Sequence, residues 1–134
     1  MTPVHPWAWW AWALGLAAAL SMTTNPLQIV LIVLAVCAVV LLRRSDAPWA
    51  RSLRIYAVLA AFIIAMRLFF FIVMGSGGGT TVLFTLPQIQ LPSWAAGIRL
   101  GGPVSAEGLV FTLYDAGRLA AMLLCPGAAN ALAN

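Results

Sequence analysis

Residues 27–42 run without a single charged side chain, and residues 7–22 form a second uncharged apolar run just before them. Neither run has the polar face that a helix on the surface of a soluble bundle would turn to water. Sixteen residues at about 1.5 Å each reach about 24 Å, slightly short of the roughly 30 Å hydrocarbon core of a bilayer. The two runs therefore predict a tight helical hairpin across the membrane, broken at Thr24-Asn25-Pro26, with the bilayer thinned around it. Residues 55–74 are long enough to span once more, and residues 106–125 or beyond make a fourth helix. Ser105 is a suitable N-cap for that last helix, and Glu107 in its first turn complements the helix dipole. Pro126-Gly127 should kink it. The expected fold is an all-α integral membrane domain over residues 1–134, with about four transmembrane helices and a long external loop, residues 75–105.

Composition agrees. Hydrophobic residues make up 63% of the chain and charged ones 7%, too few charges to cover a water-facing surface. The net charge of +4 comes from seven Arg. Four of them, Arg43, Arg44, Arg51 and Arg54, fall in residues 43–54 between two apolar runs, the pattern of a cytoplasmic membrane loop rather than of a nucleic-acid surface. That loop puts both termini in the cytoplasm and residues 75–105 outside, where Arg99 is the only basic residue before the fourth helix. No Arg or Lys precedes the first apolar run, so residues 7–22 read as a retained helix and not as a secretory signal. Its Trp7, Trp9, Trp10 and Trp12 mark an interface end.

The residue inventory is poor in chemistry. Cys37 and Cys125 each sit inside an apolar run and read as small buried hydrophobes. One His and three acids supply too few ligands for a metal site and too few groups for nucleophilic catalysis, so no enzyme and no cofactor is expected. The run Gly75-Ser76-Gly77-Gly78-Gly79-Thr80 lacks the Gly-Lys-Ser/Thr of a phosphate-binding loop and reads as a hinge. Residues 80–104 contain too many Pro and Gly to span, and their alternation at Val82, Phe84 and Leu86, with Ile98 and Leu100, permits a small extended pair at the membrane surface.

Three charges fall inside predicted spans: Arg67, Asp115 and Arg118. Measured from the outer helix ends, Arg67 and Asp115 lie at depths of about 10 and 13 Å, so they can meet. Asp115 and Arg118 are one turn apart, so one carboxylate can serve two guanidinium groups. Such a network either pins helices in register or lines a proton or ion path, and its surplus positive charge calls for a further partner. Gly108, Thr112, Ala116 and Ala120 form a four-residue repeat of small side chains, a close-packing stripe for a helix of this chain or of another protein.

Several strings resemble one family: His5-Pro6 before the Trp-rich helix, Thr23-Thr24-Asn25-Pro26, and Leu83-Phe84-Thr85-Leu86-Pro87 followed by Gly97-Ile98-Arg99-Leu100-Gly101-Gly102-Pro103. Tyr114-Asp115-Ala116-Gly117-Arg118-Leu119 and the closing Gly127-Ala128-Ala129-Asn130-Ala131-Leu132-Ala133-Asn134 complete the pattern. In order and spacing they resemble the transmembrane T component of energy-coupling factor transporters, the EcfT/CbiQ family. The resemblance implies a scaffold joining a substrate-binding membrane subunit to two cytoplasmic ATPases for uptake of vitamins or of cobalt or nickel. It covers the N-terminal half of such a protein, so the expectation is a fragment without the ATPase-coupling helices. The alternatives are a small membrane interaction protein with no transport role and, last, an intramembrane enzyme.

Overall fold

A computed structural model describes residues 4–43, 52–75, 78–96 and 98–133. In chain order the elements are helix α1 (Pro6–Met22), helix α2 (Pro26–Arg43), helix α3 (Ser52–Met74), strand β1 (Val82–Gln90), strand β2 (Arg99–Ser105) and helix α4 (Ala106–Leu132). Helices α2, α3 and α4 are each long and apolar enough to cross a membrane; α1, at 17 residues, is just shorter.

Local chemistry accounts for the helix ends. Pro6 opens α1, where a missing N–H costs nothing, and His5 Nδ1 accepts from the Trp7 amide at 3.4 Å. The Asn25 side chain accepts from the Leu27 amide at 2.9 Å and so caps α2, while Thr23 Oγ1 bonds to Gln28 across the turn. Much of the expected basic loop, residues 44–51, lies outside the described residues. Of its flanks, Arg43 is the last residue of α2, and Ser52, Leu53 and Arg54 already form the first turn of α3.

The chain divides into two compact units. One comprises residues up to Ile63 together with Gly117 onward. Within it α1 buries Ala13 and Leu20, and α2 buries Ile29, Val36 and Val40, spacings of 7, 7 and 4 that draw one narrow seam along each helix. The rest of these helices is apolar and exposed, as at Leu14, Leu27, Val30, Leu31 and Leu41. In the same unit α4 buries Ala120, Ala121, Cys125, Ala128, Ala129 and Ala131, nearly all small side chains. The close approach this permits is visible at Gly127: a Cβ there would sit 2.6 Å from Tyr56 Cγ of α3 and 2.7 Å from Tyr56 Cβ. The helix passes through Pro126 and ends at Leu132, and the Cys125 thiol donates to the Ala121 carbonyl at 3.4 Å.

The other unit, Ile64–Ala116, corrects the all-α expectation. Between the end of α3 and the start of α4 the chain forms an antiparallel hairpin with Phe84 opposite Val104, Leu86 opposite Gly102, Ile89 opposite Leu100 and Gln90 opposite Arg99. β1 is rich in residues with extended preference (Val82, Phe84, Thr85, Ile89), and Pro87, Pro92, Gly101, Gly102 and Pro103 disfavour a helix through this stretch. Register shifts between Val82 and Phe84 and between Leu86 and Ile89 absorb one extra residue each, the second beside Gly101 and Gly102, which take positive φ. A turn at Ser93–Ala95, closed by Ala96 in the left-handed conformation, joins the strands.

Candidate functional site: an ion pair within two apolar helices

Arg67 sits in α3 with Ile63, Ile64, Phe70 and Phe71 one turn away on either side, and Asp115 sits in α4 four residues after Phe111. Their side chains form a salt bridge, Arg67 Nη1 to Asp115 Oδ2, 48 residues apart in sequence. The pair is not sealed: 45% of the Arg67 side chain and 30% of the Asp115 side chain remain accessible. Arg118, one turn further along α4, does not share this carboxylate as its spacing suggested. Its Nε is buried and has no hydrogen-bond partner among the described residues. The carboxylate oxygen Oδ2 is taken by the guanidinium from α3, and the i, i+3 pairing is unmade.

The small-residue repeat divides along its length. Ala116 and Ala120 are buried, whereas Gly108 and Thr112 are only half-buried. The sequence pointed to Gly127 only as part of a kink and did not single out Tyr56, although the two mark a close approach of α4 to α3. Ala120, Gly127 and Ala131 are spaced by seven and then four residues, a pattern that a search for small residues at i+4 alone does not find.

A second cluster ties the hairpin to α4. Ser105 Oγ accepts from the Gly108 amide at 3.2 Å, the N-cap expected of it. Glu107 reaches back: its carboxylate accepts from Thr80 Oγ1 at 2.8 Å and from the Thr81 amide at 3.2 and 3.3 Å. The Ala106 amide donates to the Thr81 carbonyl at 2.9 Å, so the hairpin base and the helix start form one hydrogen-bonded joint. Among the described residues no group of three or more His, Cys, Asp or Glu side chains could hold a metal ion, and Cys37 and Cys125 are free thiols. Glu107 and the Arg67–Asp115 pair thus have structural partners, and neither is arranged as a nucleophile with its base.

Comparison with protein-family models, with curated proteins and with solved structures gives no match to this chain.

Proposed function

We propose that this protein is a multi-pass integral membrane scaffold, with four spans and both termini in the cytoplasm, that works by packing against other membrane subunits and performs no chemistry itself. The observation that carries the reading is the half-exposed Arg67–Asp115 pair within two apolar helices. In a bilayer such a pair faces protein or a polar cavity rather than lipid, because charges at that depth are costly. Helix α3 supports it further. Ala60 is its one buried residue among those described, while Ile55, Val58, Phe62, Phe69 and Phe70 project outward. From Ile55 to Met74 the only charge on α3 is Arg67 of the ion pair, a surface that suits the bilayer and a neighbouring helix and does not suit water.

The energy-coupling factor T component is the form of scaffold that the resemblance implies. Its partners would then be a substrate-binding membrane subunit and cytoplasmic ATPases. Photo-crosslinking from Phe70 and Phe111, exposed residues next to the ion pair, tests the interaction. Crosslinks to another membrane protein, reduced by Asp115→Asn, are the expected result, whereas crosslinks to lipid alone would remove the reading. Orientation is tested in a chain carrying Cys37→Ala and Cys125→Ala. Cysteines introduced at Ala47 and Ser52 should react from the cytoplasmic side only, and those at Gly78 and Ser93 from the outside only.

A further inference from the structure

The hairpin between α3 and α4 has two unlike faces in its distal half. Residues directly opposite in an antiparallel pair point to the same side, and neighbours along a strand point to opposite sides. Ile89 pairs with Leu100, and the Leu91 amide donates to the Ile98 carbonyl at 3.2 Å, so Ile89, Leu91, Ile98 and Leu100 share one face. Gln90 and its partner Arg99 occupy the other. At the tip, Trp94 is 82% exposed, and Ile89 and Ile98 are exposed at 62% and 44%. No charged residue lies between Arg67 and Arg99, a stretch that covers the end of α3 and all of β1 and the turn.

Two contacts fix how this ribbon leaves the helices. Its base is bonded to the start of α4 through Ala106 and Glu107. Further along, at Gly101, it touches the end of α3: Gly75 has φ +60, and a Cβ on it would lie 2.5 Å from the Gly101 carbonyl oxygen. The ribbon is therefore held at both helix ends, and the half beyond Gly101 carries the apolar face and Trp94.

We infer that this distal half is a membrane-interface anchor. Ile89, Leu91, Ile98 and Leu100 dip into the headgroup and upper acyl region of the outer leaflet, Trp94 sits at that boundary, and Arg99 on the opposite face meets lipid phosphate and water. Indole rings favour the interface, and an uncharged apolar face beside a single cation suits it. Lipid is the occupant that the side chains favour: an indole 82% exposed beside an uncharged apolar face, with one cation on the opposite face, matches the headgroup boundary. The inference rests on the membrane reading proposed above.

The test uses the full chain in phosphatidylcholine vesicles, with Trp7, Trp9, Trp10, Trp12 and Trp49 changed to Phe so that Trp94 reports alone. Carbonate extraction comes first; a chain released by it overturns the membrane reading and this one together. In a retained chain, Trp94 emission should be blue-shifted. It should be quenched strongly by bromines high on the acyl chains, weakly by bromines near their ends, and little by iodide. Ile89→Asp with Ile98→Asp should shift the emission red and open Trp94 to iodide while the chain stays in the vesicle. Full iodide quenching of the parent chain overturns the anchor, and so does shielding from both bromine and iodide, which would mean a protein contact. Should five Phe substitutions impair folding, a polarity-sensitive dye on Ser93→Cys, in a chain with Cys37→Ala and Cys125→Ala and all tryptophans kept, gives the same reading.

Discussion

Arg67 of α3 and Asp115 of α4 are joined by a salt bridge, although the residues one turn from Arg67 in its own helix are all apolar. Removing one partner strands the other charge, which costs more than removing both. Asp115→Asn should therefore lower the yield of folded protein more than Asp115→Asn combined with Arg67→Gln. A double-mutant cycle on thermal stability in detergent should return a coupling of about 1 kcal/mol or more. Simple additivity would mean that the pair contributes no mutual stabilisation.

Gly127 and Gly117 lie on the same helix and should respond oppositely to the same substitution. Gly127→Ala drives a methyl group into Tyr56 and should destabilise by about 1–3 kcal/mol, as overpacking does. Gly117 has nothing within 4 Å of a built Cβ, so Gly117→Ala should gain about 0.5–1 kcal/mol from backbone entropy. Melting both variants in one detergent checks the contrast. Equal shifts would contradict the close approach of α4 to Tyr56.

Ala120 belongs to a buried face of α4, so enlarging it should disturb this chain before it disturbs any partner. Ala120→Leu should cost about 1–3 kcal/mol of stability. Thr112→Leu, at a half-buried position of the same repeat, should cost less. Thermal denaturation of the two variants orders them, and the reverse order would relocate the packing face.

The joint between hairpin and helix should be visible in amide exchange. The Thr81 amide donates to Glu107, so Glu107→Ala should speed its exchange, while Glu107→Gln, which keeps an acceptor oxygen, should speed it less. Unchanged protection in both variants would show that the carboxylate is dispensable there.

Ser105→Ala tests the cap itself. The Ser105 side chain is buried and holds the Gly108 amide, so its loss should cost about 1 kcal/mol, with faster exchange confined to the first turn of α4.

The helices were legible in the sequence because each is a local matter. Uncharged runs need no distant partner to read as helices, and Pro6 and Asn25 at helix starts, with Ser105 before α4 and Glu107 in its first turn, act within one turn of the chain. The meeting of Arg67 and Asp115 was readable as well, since two opposite charges at similar distances from the ends of two apolar helices, about 10 and 13 Å, have few other partners. Three features waited for the tertiary structure. The alternation at Val82, Phe84 and Leu86, with Ile98 and Leu100, permitted an extended pair, but its register depends on where Pro87, Gly101 and Gly102 let the backbone bend. Which guanidinium takes the Asp115 carboxylate was a choice between Arg67 and Arg118, and only the approach of α3 decided it. Tyr56 and Gly127 lie far apart in sequence and carry no pattern in common. Their contact follows from the rotation of two helices about their axes, which side-chain packing sets and periodicity in an apolar-all-round helix leaves open.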